Sequence, residues 1–169
     1  MTGLSLAELN AAPDEAPLRD SLRACCTADS WVARMVADRP YADEAALYAA
    51  SDEATAALDD AGLEQALAGH PRIGERTASH GRAWSQQEQS GVSGADAKVR
   101  AELAAANAAY ETRFGHVYLV AATGKDADEL LAIARSRLDN DPATERGVVL
   151  SELAKINRLR LAKLLHEEN

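Results

Sequence analysis

Apolar residues recur along most of this chain at spacings of three and four, the period of a helix, and alternate in only one short run. Caps and breakers mark where the helical stretches begin and end. Ser5-Leu6-Ala7-Glu8 is a capping box, with the Ser hydroxyl accepting from a backbone N–H and the Glu reaching back. It opens a short helix over Leu6–Ala11, and Pro13 and Pro17 bracket a break before a second helix over Leu18–Cys26. Ser30 is placed to cap a third, with Trp31, Met35 and Val36 on one face and Pro40 ending it. Asp43 caps a fourth, carrying Ala46, Leu47 and Ala50. Asp52 to Ala61 is expected as its partner, ending at Gly62, and Leu63 to Ala68 as a short helical turn that stops at Gly69. Pro71 then disfavours helical geometry at His70, which puts His70 in a turn just after a helix.

Arg72 to Trp84, with Gly74 and Gly81 among mixed polar residues, predicts a loop, and Gln86–Ser90 a helix begun by Ser85 and halted by Gly91. Asp96 starts a long helix with Val99, Leu103, Ala106, Tyr110 and Phe114 along it and Gly115 as its stop. Val117 to Ala122 is the β-like run. One strand has nothing to pair with, so it is expected as an extended segment threaded among helices. Asp126 opens a helix through Leu138. Asn140-Asp141-Pro142 starts the last one, with Asp as cap and Pro at the first position. That helix presents Val149, Leu153, Ile156, Leu159, Leu161 and Leu164 as a wide apolar face. The pattern predicts an all-α single compact domain over residues 1–169, about eight helices with one short extended segment near 117–122.

Composition narrows the function classes. Hydrophobic residues make up 47% of the 169, which argues against disorder, and Ala and Leu outweigh the β-branched and aromatic residues that favour strands. A net charge of −9 repels phosphate backbones, so no nucleic-acid partner is expected. No apolar run approaches the roughly 20 residues that cross a bilayer, so no membrane partner is expected either. Met1 to Asn10 lacks the basic and apolar regions of a secretory signal, and His166-Glu167-Glu168-Asn169 is not a peroxisomal address. Cys25 and Cys26 are adjacent, a spacing that strains a mutual disulfide. A reducing, cytoplasmic setting follows.

Candidate chemistry lies in three places. Ser85, Glu88 and Gln89 share one helix face and offer a hydroxyl, a carboxylate and an amide; the same residues also read as a plain N-terminal capping box. His70 suits proton transfer near neutral pH, and equally suits a structural role before a proline. Arg160, between Leu159 and Leu161, is placed to enter a cleft and meet a carboxylate, whereas Arg158 reads as a solvated charge. His80, His116 and His166 are scattered without metal-ligand spacing. Gly91-Val92-Ser93-Gly94 is too short for a phosphate loop, and neither Lys98 nor Lys125 carries a pyridoxal signature. No metal and no cofactor are expected.

Four stretches, in order, resemble the 2-oxo-4-hydroxy-4-carboxy-5-ureidoimidazoline (OHCU) decarboxylases. They are His70-Pro71-Arg72-Ile73-Gly74, Ser85 to Gly91, Asn107 to Gly115 running into Val117 to Ala122, and Ile156-Asn157-Arg158-Leu159-Arg160-Leu161. The resemblance runs from about Leu6 to Leu165. It implies a cofactor-independent carboxy-lyase of urate breakdown that converts OHCU to (S)-allantoin and CO2. It further implies an all-α homodimer, functionally linked to urate oxidase and 5-hydroxyisourate hydrolase. As catalytic groups it implies His70, Glu88 and Arg160. As substrate-binding residues it implies Pro71, Ser85, Gln86, Gln87, Glu88 and Gln89, together with Tyr118, Leu119, Val120, Ala121 and Ala122, whose free backbone groups a ligand would partly satisfy. Two departures stand out. Many relatives read Phe-Gly-Phe-Pro-Phe where this chain has Phe114-Gly115-His116-Val117-Tyr118, and many have Asp where it has Arg72. A helical scaffold without activity, and an enzyme acting on a related heterocycle, are the rival readings.

Overall fold

The computed structural model describes residues 3–73 and 96–166. These residues form eight α-helices and no strand: α1 Leu6–Ala11, α2 Ala16–Cys25, α3 Asp29–Ala37, α4 Glu44–Ala56, α5 Asp60–Ala68, α6 Ala97–Phe114, α7 Ala127–Arg137 and α8 Pro142–His166. The all-α expectation holds. The loop expected from Gly74 onward and the helix expected at Gln86–Ser90 lie outside the described residues. The chain divides into two compact units, one of residues 1–69 and 153–169, the other of residues 70–152.

Local chemistry explains most helix starts. At α1 the Ser5 hydroxyl accepts from the Glu8 N–H at 3.2 Å and the Glu8 carboxylate from the Ser5 N–H at 2.8 Å, the full capping box. Asp43, Asp59, Asp96 and Asp126 accept from the N–H of Ala46, Gly62, Val99 and Glu129, and Asp141 from that of Thr144. Gly115 ends α6 with φ +78°, the left-handed geometry a glycine adopts without cost.

Other boundaries differ from expectation, each for a physical reason. Pro17 does not break the chain but sits in the first turn of α2, where its missing N–H costs nothing. Ser30 lies inside α3 and caps nothing; instead the Asp29 N–H donates to Oε1 of Gln65, on α5, at 3.1 Å. Asp52 and Gly62 fall inside α4 and α5 rather than at their ends. Gly62 marks a close approach, since a Cβ there would stand 3.1 Å from Leu58 Cδ2 and 3.2 Å from Asp59 Oδ1. On α8, Leu159 leaves the expected apolar face and is 38% exposed, while Val149, Leu153, Ile156, Leu161 and Leu164 are buried.

In the first unit α3 packs against α2, α4 and α5 and buries Trp31, Val32, Met35 and Val36. Leu153, Ile156, Leu161 and Leu164 supply the buried face of the α8 residues in this unit. Arg39 ties two helix ends, donating to the carbonyls of Leu9 and Ala12 at 2.9 and 2.6 Å and to that of Val36 at 3.0 Å. Thr27 anchors the end of α5 by donating to the Gln65 carbonyl at 2.7 Å. A Cβ on Gly69 would lie 2.5 Å from Thr27 Oγ1, 2.8 Å from its Cγ2 and 3.2 Å from its Cβ, so no rotation of Thr27 clears it. Gly69→Ala is therefore expected to lose about 1–3 kcal/mol, the usual cost of overpacking, read from the urea midpoint.

In the second unit α6 and α7 pack together. Their core joins Leu103, Ala106 and Tyr110 of α6 to Leu130, Leu131 and Ala134 of α7, with Ile73, Tyr118, Val120 and Ala122 included. The segment that carries Tyr118 to Ala122 forms neither helix nor strand, as the unpaired β-like run predicts.

Candidate active site

His70 stands directly after α5, half-buried, in the turn expected of it, and Pro71 is also half-buried. Two side chains from α6, one helical turn apart, pin the backbone that follows. Asn107 Nδ2 donates to the Ile73 carbonyl at 2.9 Å in a buried bond. Arg72 Nε donates to both carboxylate oxygens of Glu111, at 2.9 and 3.0 Å. The departure at Arg72 thus has a partner: the cation fastens the turn to α6. Asn107 Oδ1 is buried without a hydrogen bond.

Tyr118, Leu119, Val120, Ala121 and Ala122 are all buried. The Tyr118 hydroxyl donates to the Leu130 carbonyl at 3.0 Å. Some of the segment's backbone groups are taken by side chains of the chain itself. Arg137 Nη1 donates to the Leu119 carbonyl at 2.5 Å, and Lys125 Nζ to the Ala121 carbonyl at 2.9 Å. The Leu119 and Ala121 carbonyls are therefore each matched to a cation of the chain itself. Ile73 shares the core of Tyr118, Val120 and Ala122, so the end of the His70 turn and this segment belong to one packed cluster.

Behind the segment lies a buried polar network with no local signature in the sequence. Glu145 is fully buried and takes Arg137 Nε at 2.6 Å, with Nη2 also against it. The Tyr110 hydroxyl donates to it at 2.7 Å and Asn140 Nδ2 at 3.1 Å. The Arg137 guanidinium stands 5.0 Å from the Tyr118 ring and 5.6 Å from that of Tyr110, within cation–π range of both. Burial alone would raise the Glu145 carboxyl, but the bonds from Arg137, Tyr110 and Asn140 outweigh it and hold it below its ordinary value. Burial pushes the Tyr110 and Tyr118 phenols well up.

The second departure also keeps an aromatic surface. His116 lies edge-on to Tyr110 at 5.5 Å and stacks on Phe114 at 6.3 Å, while Tyr110 contacts Phe114 at 4.7 Å and Tyr118 at 5.4 Å.

Arg160 belongs to the first unit and is 5% exposed, against the 49% of the neighbouring Arg158 side chain, which pairs with Asp52 at 2.7 Å. Cys25 and Cys26 are free and buried. Burial pushes their thiols up to about 12 and about 11, against the pull of the Arg160 charge. Neither is then a nucleophile. Thiol-specific alkylation at pH 8 is expected to leave both unmodified in the native protein and to modify both after unfolding, as mass spectrometry would read. Ser85, Gln86, Gln87, Glu88 and Gln89 lie outside the described residues. Among the described residues no group of three His, Cys, Asp or Glu side chains is placed to hold a metal ion, and no helix is long and apolar enough to cross a membrane.

The family sequence model described as OHCU decarboxylase matches residues 10–162. The chain belongs to the OHCU decarboxylase family. Members of this family are carboxy-lyases, and the resemblance seen in four motifs extends over nearly the whole sequence. The chain is 32% identical over 131 residues to the 2-oxo-4-hydroxy-4-carboxy-5-ureidoimidazoline decarboxylase of Amia calva, covering 75% of each chain. It is 25% identical over 154 residues to the uric acid degradation bifunctional protein TTL of Arabidopsis thaliana, covering 88% of this chain and 48% of that one. The chain thus spans about half the length of the Arabidopsis relative. A crystal structure of OHCU decarboxylase in the presence of (S)-allantoin superposes with a TM-score of 0.75 at 26% identity, covering 88% of this chain and 99% of that one.

Proposed function

We propose that this chain decarboxylates OHCU to (S)-allantoin and CO2 in urate degradation. The observation that carries the reading is the family match over residues 10–162, within which His70-Pro71 stands in a turn fastened by Asn107 and Glu111. The substrate carries a carboxylate and a hydroxyl on one ring carbon, beside a C=N bond. When the C–CO2 bond breaks, its electron pair forms a double bond to the neighbouring carbon, and the C=N nitrogen takes up the displaced pair and a proton. The resulting enol then loses its hydroxyl proton as its carbon becomes a carbonyl, and the adjacent carbon gains a proton from one face. That delivery sets the S configuration. The electron sink is in the substrate, so the bond-breaking step calls on no cofactor.

In this scheme His70 and Glu88 handle the hydroxyl proton and the proton delivered to carbon, the transfers for which imidazole and carboxylate are suited near neutral pH. Arg160 meets a charged or carbonyl group of the substrate; the planar guanidinium fork, which matches a carboxylate, supports that role. Pro71, Ser85 to Gln89 and Tyr118 to Ala122 line the ring. The enzyme acts in the cytoplasm as a homodimer, alongside urate oxidase and 5-hydroxyisourate hydrolase.

The test is to generate OHCU from urate with those two enzymes, add the chain and follow circular dichroism. A fast rise of one allantoin enantiomer is expected. Slow racemic product, equal to the spontaneous reaction, would leave a helical scaffold as the reading.

A further inference from the structure

We infer that Arg137 and Lys125 are positioning residues that aim the backbone N–H groups of Val120 and Ala122 at the substrate. The inference rests on the functional reading above and deepens it. The Leu119–Val120 and Ala121–Ala122 peptides are trans, so in each the C=O and the following N–H point in opposite directions. Arg137 holds the Leu119 carbonyl and Lys125 holds the Ala121 carbonyl. Each cation thereby turns one N–H, that of Val120 or Ala122, away from itself. Among the described residues neither N–H has a hydrogen-bond acceptor. Val120 and Ala122 are nonetheless 2% and 4% exposed, and a buried N–H group is ordinarily paired. Two donors two residues apart suit a ligand rich in carbonyl and carboxylate oxygens, which a carboxylated cyclic ureide is.

The network behind Arg137 supports a positioning role more than a merely adhesive one. The guanidinium fork is split, with Nε and Nη2 on Glu145 and Nη1 on the Leu119 carbonyl. Tyr110 and Asn140 complete Glu145, and the rings of Tyr110 and Tyr118 stand within cation–π range of the guanidinium. The group that holds the carbonyl therefore has little freedom of its own. A lysine at this position keeps the charge against Glu145, but its single nitrogen does not reproduce the fork that also reaches Leu119.

The experiment compares Arg137→Lys, Lys125→Met and Tyr110→Phe with wild type for KM, kcat and urea midpoint, using OHCU generated in situ. A donor that contacts substrate in ground state and transition state alike lowers KM without changing kcat. Loss of one such hydrogen bond is expected to raise KM about tenfold, with kcat held within about threefold. Arg137→Lys and Lys125→Met should both show this split. Tyr110→Phe weakens the Glu145 pair without touching either carbonyl, so it should lower the urea midpoint and leave KM unchanged. Should Arg137→Lys fail to fold, Lys125→Met decides, because its half-buried ammonium is outside the Glu145 network. Loss of kcat at constant KM in proportion to the unfolded fraction, or a wild-type KM in Lys125→Met, overturns the inference alone. A wild-type chain that releases no CO2 overturns the functional reading and the inference with it.

Discussion

His70→Ala is expected to lose about 10²–10⁴-fold of turnover, the usual worth of a positioned acid or base, and to keep the wild-type fold. That is about 3–5 kcal/mol of barrier at 1.36 kcal/mol per decade. The fold survives because the turn keeps two fastenings that do not pass through the imidazole. The Ile73 carbonyl is held by Asn107 and Arg72 by Glu111, and neither bond involves the imidazole. His70 itself is half-buried and outside the apolar cluster that Ile73 enters. The measurement is stereospecific allantoin formation by circular dichroism, alongside a urea titration. Wild-type rates from the alanine variant would remove His70 from the mechanism. A matching loss of stability would reassign it to the fold.

Glu145→Ala carries the largest expected effect on stability. It leaves the Arg137 guanidinium buried without its carboxylate, and strips the Tyr110 hydroxyl and the Asn140 amide of their acceptor. Breaking one partner of a buried pair costs about 3–5 kcal/mol. For a chain of this size that lowers the Tm by roughly 6–20 °C. The double variant Glu145→Ala, Arg137→Met should recover part of the loss, because the uncompensated charge is gone. The pair also predicts an acid limb. The Glu145 carboxyl in the fold lies below its ordinary 4.5, so the stability it confers is complete above that value. That stability is lost as pH falls through the lowered folded value. Wild-type urea midpoints should therefore drop on acidification below about pH 4.5, and the Glu145→Ala protein should lack that part of the drop.

How far the site is legible in the chain differs from residue to residue. The turn at His70 follows from the proline after it, and the departure of the segment 117–122 from helix follows from its β-like run. The long α6 is bounded by Asp96 and Gly115, both of which act as expected. By contrast, Arg137 and Glu145 carry no local mark. One lies in the last turn of α7 and the other in the first turn of α8, where a cation and an anion read as ordinary complements to the helix dipoles. Their meeting in a buried pair depends on how the turn at 139–141 folds back, which no periodicity encodes. Arg72 is the same kind of case. A cation where many relatives have Asp gains its meaning from Glu111, 39 residues away.

Helix content, most helix ends and the position of the one non-helical apolar segment were determined by the sequence alone, because each depends on side chains within about four residues of one another. The start of α3, the place of Gly62 and Gly69, the burial of Arg160 beside an exposed Leu159, and the partners of Arg137 and Arg72 were decided only by the tertiary structure. Each of those depends on atoms brought together from distant parts of the chain. Distance along the sequence carries no information about such contacts until packing has chosen which face of each helix is turned inward.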